Sequence, residues 1–393
     1  MKKILYVEFS SGWGGSSEAL YNLLKFSSRD KYHPVVLITR QGRNFDRIGE
    51  LKVKVMPMPL LALKHNIKDH LLFSYIKAMI NLIFDIFPNS WRIWRIIRRE
   101  KIDLVHTNTN IKDNLQAILA AKWARVPCVC HVRETRVLVK SEKYYRRFLG
   151  RIVVLNKEAF HIMSNGYDLK RIILIPDGLD LCLNVHEKDL QKIKEDFGLR
   201  GQFCVGILGR LVEGKGHDDF IRAAALILRN KPQIKFLIVG NDPDKNNLFE
   251  QNLRSLAHEL RVDENLIFTG WRTDKNEILS VLDVLVQASS TFPEGFGLTC
   301  IEAMALKKPV VATNIPGPNF IVDEGVTGYL VPPACPQLLA DAIIKLIQDP
   351  LLARSMGQAG RSRVERYFDI KNVVERVENM YEGIFEELIT EKS

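Results

Sequence analysis

The chain has 393 residues, 46% of them hydrophobic, so it is long enough to bury two cores of ordinary domain size. Its six cysteines show no zinc-ligand spacing and no disulfide framework. The net charge of +10 is unevenly distributed along the chain. Residues 1–175 hold 31 Lys and Arg against 14 Asp and Glu, giving +17, and the remaining residues carry −7. A basic first half favours an anionic partner. The sequence has no zinc-finger spacing, RNP motif or Arg-rich tail, so we expect a membrane surface rather than nucleic acid.

Apolar runs alternate with helical patterns in both halves, which predicts two parallel sheets covered by helices. The predicted strands are residues 3–7, 35–39, 104–107, 128–132 and 152–155, then 205–208, 235–239, 266–269, 284–287 and 310–312. Ligands of such sheets bind beyond the carboxyl ends of the strands, where Gly14, His131 and Arg210 are placed. We predict a linker within residues 177–200 and a final helix from about 370 to 388.

The N-terminal segment begins Met1-Lys2-Lys3 and runs directly into the first strand, without an apolar secretory core, so we expect a cytosolic protein. Gly14 and Gly15 follow that strand. A Gly-Gly pair alone most often marks a turn.

Residues 71–87 form an apolar helical pattern, which Lys77 and Asp85 interrupt, so it does not predict a transmembrane span. After Pro88, aromatic and cationic residues recur at helical spacing, as in helices that lie in a membrane interface. These residues are Trp91, Arg92, Trp94, Arg95, Arg98 and Arg99. A core-facing helix with a solvated basic face fits equally well for each helix. The basic surroundings favour membrane contact for the pair.

Two cations follow the apolar run 204–208, in Gly209-Arg210-Leu211-Val212-Glu213-Gly214-Lys215-Gly216. An Arg fork and a Lys charge suit a diphosphate and the charge that develops when it leaves. The glycine spacing is not that of a P-loop. The alternative is an exposed basic turn. Further on, Asp242-Pro243-Asp244 has the form of a metal-binding triplet, but its polar loop favours a structural role, so we predict no metal.

Glu294 lies in a glycine-rich turn and Glu302 in the apolar helix that follows, in Pro293-Glu294-Gly295-Phe296-Gly297-Leu298-Thr299-Cys300-Ile301-Glu302. The helix start can bind phosphate oxygens, and the two carboxylates can accept hydrogen bonds from sugar and ribose hydroxyls. The alternative is a solvated loop Glu and a surface helix Glu. Two such motifs in one alternating pattern make a nucleotide-sugar site the better interpretation.

At these motifs the chain resembles the retaining GT-B glycosyltransferases of glycosyltransferase family 4, over nearly its whole length. The resemblance also covers the glycine loop after the first strand and the turn Ile175-Pro176-Asp177-Gly178-Leu179-Asp180. It implies two Rossmann-like domains facing each other across a deep cleft, with a C-terminal helix that crosses back to the N-terminal domain. The implied boundaries are residues 1–180 on the acceptor and membrane side, 181–368 on the donor side, and 369–393 for the helix.

The resemblance also implies roles for individual residues. The catalytic set is His131, Arg210, Lys215 and Glu294, with His131 beside the reacting sugar. Arg210 and Lys215 would hold the diphosphate, Glu294 the sugar and Glu302 the ribose. Further donor contacts are Gly14, Gly15, the base-recognition loop Gly270, Trp271 and Arg272, and the backbone at Phe296, Gly297 and Leu298. Phe320 stands where relatives often carry an acid.

These features predict a metal-independent glycosyltransferase without a cofactor, and the resemblance alone implies that it retains the anomeric configuration. It would move a sugar from a nucleoside-diphosphate sugar to a glycan or lipid-linked acceptor in the synthesis of cell-envelope or extracellular polysaccharide, lipopolysaccharide or glycolipid. We expect it on the cytoplasmic face of the membrane, bound peripherally. The alternatives are another enzyme of this fold, such as an epimerase, and a noncatalytic membrane-docked nucleotide-sugar sensor.

Overall fold

The computed structural model describes residues 1–10, 14–61, 81–244, 246–292 and 294–390. Most of the apolar helix expected over residues 71–87 therefore lies outside the described residues. The chain divides into two compact units, the first formed by Met1–Gly178 with Ile370–Ser393 and the second by Leu179–Asp369.

The first unit is built on a parallel sheet. Its strands are β1 (Lys2–Glu8), β2 (Tyr32–Ile38), β3 (Lys54–Pro57), β4 (Leu104–Thr107), β5 (Cys128–Val132), β6 (Arg151–Val154) and β7 (Ile172–Leu174). Within the described residues they pair in the order β3-β2-β1-β4-β5-β6-β7. The helices are α1 (Gly15–Phe26), α2 (Arg43–Gly49), α3 (Phe87–Glu100), α4 (Leu115–Ala124), α5 (Lys140–Tyr145) and α6 (Lys157–Ser164), with a π-helical turn Leu82–Ile86 and 3₁₀ turns Lys112–Asn114, Arg146–Phe148 and Leu169–Arg171.

The second unit repeats this architecture. Its strands are β8 (Cys204–Leu208), β9 (Lys235–Val239), β10 (Leu266–Gly270), β11 (Val284–Gln287), β12 (Val310–Thr313) and β13 (Gly328–Val331). They pair in parallel in the order β10-β9-β8-β11-β12-β13 within the described chain. The helices are α7 (Glu187–Asp196), α8 (His217–Leu228), α9 (Leu248–Glu259), α10 (Lys275–Val281), α11 (Leu298–Ala305), α12 (Pro318–Ile321), α13 (Pro336–Gln348) and α14 (Pro350–Tyr367), with a 3₁₀ turn Asp263–Asn265.

The predicted class is confirmed, since both units are α/β with parallel sheets between helices. The sequence pattern missed strands β3, β7 and β13, and all three lie at an edge of their sheet. Strand β3 includes Lys54 and Pro57 and has no buried residue, so it lacks the apolar run by which buried parallel strands are recognised, and β7 is only three residues long. The predicted linker segment also contains helix α7, in which Ile193 is the buried residue.

The last helix, α15 (Ile370–Thr390), belongs to the first unit although its chain neighbours belong to the second. Its apolar face, including Val374 and Tyr381, lies in the core that β1 and α1 share. The Glu378 carboxylate accepts hydrogen bonds from the backbone N–H of Ser28 at 2.7 Å and from the Ser28 hydroxyl at 3.0 Å. Apolar burial and these charge-assisted hydrogen bonds hold the helix on α1.

Candidate active site

Strands β8 and β11 lie side by side in the middle of the second sheet, although they are not consecutive in the chain. From β8 the chain builds outward through β9 and β10, and from β11 it builds in the opposite direction through β12 and β13. The carboxyl ends of such a strand pair form a topological switch point, where α/β sheets usually bind ligands. The two motifs found in the sequence follow these two strands, so the fold brings them together.

The Glu294 carboxylate is the centre of this cluster. Its Oε1 atom is ion-paired with Lys215 Nζ and accepts hydrogen bonds from Ser289 Oγ at 2.9 Å and from Gln287 Nε2 at 3.0 Å. The side chains of Lys215 and Glu294 are both largely buried. Sequence reasoning found the Lys and the Glu but missed Gln287 and Ser289. The sequence pattern that could have indicated them is a polar residue at, and another just after, the carboxyl end of an otherwise apolar strand.

Two glycines allow the Lys215 loop to pack against the Glu294 loop. Gly214 and Gly216 have φ of +80° and +77°, and a Cβ on either would overlap atoms of the opposing loop, at Thr291 and at Ala288 respectively. The loops are also joined by hydrogen bonds from the backbone N–H of Ser290 to the Gly214 carbonyl at 2.8 Å. Only glycine permits both the backbone conformation and this close approach.

Helix α11 begins beside this cluster, and its start has the form that phosphate groups favour. Gly297, its N-cap, has φ of +104°, and the first helical residue is Leu298. Phe296 is buried, with its ring 5.6 Å from that of Phe368. One turn into the helix, buried Glu302 is ion-paired with Lys275 at 2.6 Å. Lys275 is a further charged neighbour that sequence reasoning missed.

The other donor residues predicted in the second unit lie at the same edge of its sheet. Arg210 is exposed, with its guanidinium 5.8 Å from the centre of the Phe292 ring, and Lys215 Nζ lies 4.1 Å from that ring. Trp271 follows β10 with 47% of its surface exposed. Arg272 Nε donates to Asp274 at 2.8 Å, and this carboxylate raises the pKa of Arg272. The Arg272 guanidinium is therefore already engaged within the protein.

In the first unit, a buried polar network lies at the carboxyl ends of β1, β4 and β5. Asn108 Nδ2 donates to the fully buried Glu8 carboxylate and to the Ser16 carbonyl, the latter at 3.0 Å. Arg133 Nε donates to Asn108 Oδ1 at 2.8 Å, and its guanidinium is ion-paired with buried Asp177. Burial raises the pKa of the Glu8 and Asp177 carboxyl groups, although the Arg133 charge acts to lower both. The network thus joins the strand ends to the start of α1, where Gly14 is the N-cap and Gly15 the first residue.

His131 is buried, with 2% of its surface exposed. Its Nδ1 is 3.4 Å from the Arg133 guanidinium, and its ring centre is 5.6 Å from that of His106. Burial, and then the nearby Arg133 charge, lower the pKa of His131 well below its ordinary value, so the imidazole is neutral. His131 is the fourth residue of β5, next to the carboxyl end of the strand, where the sequence placed it.

The acidic triplet after β9 has a structural role at its first residue. The Asp242 carboxylate accepts hydrogen bonds from the backbone N–H of Phe249 at 2.8 Å and of Glu250 at 3.2 Å, at the start of α9. It also accepts one from Asp244 N at 2.8 Å. Within the described ranges, no group of three His, Cys, Asp or Glu side chains is placed to hold a metal ion.

Helix α3 separates the predicted membrane residues into two groups. Trp91 is half exposed and stacks under the Arg95 guanidinium at 4.8 Å, and Arg98 and Arg99 are also exposed. Trp94 instead packs against the core of the first unit. Arg92 is partly exposed and donates to the Pro59 carbonyl at 2.7 Å. Over the described part of the chain, every helix is too short or too polar to span a membrane.

Comparisons with known proteins agree with this architecture. Residues 13–182 match the family model of Glycosyltransferase Family 4, and residues 189–363 match that of Glycosyl transferases group 1. The Staphylococcus aureus capsular polysaccharide biosynthesis glycosyltransferase CapM is 26% identical over 375 residues, which cover 91% of this chain and 92% of CapM. An Escherichia coli UDP-Gal:alpha-D-GlcNAc-diphosphoundecaprenol alpha-1,3-galactosyltransferase is 28% identical over 78% of this chain and 80% of its own length.

Solved structures show the same fold at lower sequence identity. Anabaena HepE in complex with UDP and glucose has a TM-score of 0.83 and 21% identity, covering 97% of this chain and 100% of HepE. A glycosyltransferase from Rickettsia africae has a TM-score of 0.80 and 22% identity, covering 98% of each chain.

Proposed function

Because the chain belongs to the family 4 and group 1 glycosyltransferases, we propose that it transfers a sugar from a nucleoside-diphosphate sugar to a hydroxyl of a glycan or lipid-linked acceptor. The observation that carries the proposal is the meeting of Lys215 and Glu294 at the switch point of the second sheet. The names of its relatives support a place in the synthesis of cell-envelope polysaccharide or glycolipid.

In this proposal the second unit binds the donor and the first unit binds the acceptor. The cations Arg210 and Lys215, with the backbone N–H groups at the start of α11, bind the diphosphate. Buried Glu302 accepts hydrogen bonds from the ribose, and the exposed ring of Trp271 offers a surface on which the base stacks. Glu294 accepts hydrogen bonds from the sugar.

We propose transfer with retention of the anomeric configuration. The bond from the sugar's anomeric carbon to the acceptor oxygen forms on the face from which the diphosphate leaves. The acceptor proton passes to the leaving phosphate oxygen, so no separate carboxylate base is required. Glu294 is a poor nucleophile here, because Lys215 and two hydrogen-bond donors hold it in place. Arg210, Lys215 and the start of α11 stabilise the charge on the departing diphosphate, which makes a metal ion unnecessary.

His131 has a supporting place in this mechanism. Because it is buried and neutral beside Arg133, we propose that it orients this guanidinium as well as steadying the reacting sugar. Arg133 in turn holds Asn108, which binds the Ser16 carbonyl after the glycine pair.

Turnover tests the proposal. The purified protein is incubated in EDTA with UDP- and GDP-sugars and a polyprenyl-diphosphate-linked glycan, and nucleoside diphosphate and product are followed by chromatography and NMR. We expect release of one nucleoside diphosphate and a product with the donor's anomeric configuration. An inverted product contradicts the proposed stereochemistry, and a requirement for added Mg²⁺ or Mn²⁺ contradicts metal independence. Binding without transfer favours a noncatalytic sensor.

A second part of the proposal concerns the membrane. Exposed aromatic and cationic side chains on α3, including Trp91 and Arg95, suit the interface of an anionic bilayer. We expect the protein to bind vesicles that contain phosphatidylglycerol, and binding to weaken with salt. Arg95→Glu should weaken binding strongly, whereas Arg354→Glu, an exposed charge reversal in the second unit, should not. Equal binding by both variants contradicts this surface assignment.

A further inference from the structure

We propose that Gln287 and Ser289 are positioning residues that orient Glu294 so that its Oε2 atom selects the donor sugar. The inference rests on the proposed function and deepens it, because it assigns sugar discrimination to residues that do not themselves touch the sugar.

The two oxygens of Glu294 have different surroundings. Three donors, Lys215 Nζ, Gln287 Nε2 and Ser289 Oγ, all converge on Oε1. Among the described residues, no hydrogen bond or ion pair to Oε2 is found beside these three contacts. A carboxylate oxygen that already accepts three hydrogen bonds has no capacity left for a ligand, whereas the other oxygen retains its acceptor sites. Oε2 is therefore the atom available to a sugar hydroxyl.

The orientation of the Gln287 amide is fixed by its own hydrogen bonds. Its Nε2 has two acceptors, Glu294 Oε1 at 3.0 Å and Ser289 Oγ at 2.9 Å. Its Oε1 accepts a hydrogen bond from the backbone N–H of Ser289 at 3.3 Å. Exchanging the amide N and O would set the amide N–H against the Ser289 N–H and the amide oxygen against the Glu294 carboxylate, so only one orientation satisfies the network. Ser289 Oγ accepts from Gln287, and its own proton is thereby directed to Glu294.

The sheet holds this network rigidly from behind. Gln287 is the last residue of β11, and Thr313, the last residue of neighbouring β12, donates to the Ser289 carbonyl at 2.6 Å. Gln287, Ser289 and Thr313 are all buried. Residues on strands at this depth hold a functional group more precisely than residues on a loop.

An ionised carboxylate oxygen can only accept hydrogen bonds, so Oε2 favours a sugar that directs a hydroxyl at it. A sugar with that hydroxyl in the epimeric position leaves the buried carboxylate with an unmet acceptor. Hydrogen bonds to charged groups are strong enough for this loss to cost about 10- to 100-fold in rate. If Gln287 or Ser289 is removed, Glu294 can turn, and this discrimination should fall.

The test compares Gln287→Met and Ser289→Ala with Ser290→Ala, a change at the adjacent serine, whose described contact to Gly214 uses its backbone. Both test changes nearly conserve volume, and thermal denaturation confirms that each variant is folded. Calorimetry gives the Kd for the free nucleoside diphosphate. Initial rates give kcat/KM for the preferred donor and for its hydroxyl epimer.

We expect the two test variants to bind nucleoside diphosphate within about twofold of wild type. They should lose about 10-fold or more in kcat/KM for the preferred donor, and the ratio between donor and epimer should fall by about the same factor. Ser290→Ala should match wild type. An unchanged ratio in a folded test variant overturns the inference, as does an equal loss of nucleoside-diphosphate affinity. A wild-type protein that binds no nucleoside diphosphate refutes the proposed function itself, and the inference with it.

Discussion

The buried imidazole of His217 predicts that the second unit loses stability in mild acid. His217 is the first residue of α8, with 1% of its surface exposed, and neither ring nitrogen has a hydrogen-bond partner among the described residues. Burial, and then the charge of Lys215, lower its pKa to about 3. Folding therefore requires the neutral imidazole across the whole range in which an exposed histidine would take up a proton.

Linkage between protonation and folding gives the sign and the size of this loss of stability. The unfolded imidazole has a pKa of about 6.5 and the folded pKa is lower, so the stability contribution is complete above about pH 6.5 and is lost as the pH falls toward 3. At pH 5 the unfolded state gains about 2 kcal/mol from protonation of this one group. This value depends on the unfolded pKa alone as long as the folded pKa stays far below 5. In a unit of this size it lowers Tm by about 4–8 °C.

Calorimetric melting at pH 7.5 and pH 5.0 tests this prediction with wild type and His217→Leu. Leucine fills a similar volume and cannot ionise, so the variant should lose about 4–8 °C less than wild type between the two pH values. His258→Gln is the matched control, because the side chain of His258 in the same unit is 86% exposed and meets water in both states. An equal loss of Tm in wild type and His217→Leu would refute the reasoning.

Three further predictions concern the backbone, the buried ion pair and the ribose contact. Gly216→Ala should lower the free energy of unfolding, measured with urea, by more than about 2 kcal/mol, because the added Cβ would overlap a backbone carbonyl. The control Gly198→Ala, at φ +63° with open space around it, should lower it by only about 1 kcal/mol, and equal losses would contradict the packing argument. Asp177→Asn should cost about 3–5 kcal/mol by leaving the Arg133 charge buried without its partner. The apolar double variant Arg133→Met with Asp177→Leu should recover part of it, because it removes the unpaired charge but leaves the buried Asn108 Oδ1 without its Arg133 donor; no loss in the single variant would show that the pair is not tightly buried. Glu302→Gln should raise the donor KM with little change in kcat, because a ribose contact is made equally in the ground and transition states; a fall in kcat alone would speak against the ribose assignment.

The sequence predicted the sheet centres better than the sheet edges. Strands such as β5 and β11 are buried on both faces and read as apolar runs. Strands β3 and β13 each have a neighbour on one side only and keep half-exposed residues, so their pattern is weaker. The chain's return to the first unit through α15 followed from the family resemblance, because no local pattern encodes which unit a helix packs on.

The residues of the candidate site could be predicted where charged residues and glycines mark it in the sequence. Lys215 and Glu294 stand out because each is a charged residue in a glycine-containing turn after an apolar strand. Gln287 and Ser289 act only through atoms that the fold brings within 3.0 Å of Glu294, and a sequence pattern carries no such distance. The burial of His131 could not be predicted either, since it depends on neighbours from distant parts of the chain.

The most direct test of the central claim is a metal-free calorimetric titration with UDP, GDP and a panel of their sugars, on wild type and Lys215→Ala. We predict that one nucleoside-diphosphate series binds wild type and that the substitution weakens this binding strongly, because Lys215 supplies a buried positive charge at the switch point. Unweakened binding in Lys215→Ala, or no binding of either series to wild type, would contradict the assignment of a donor site to the Lys215 and Glu294 cluster.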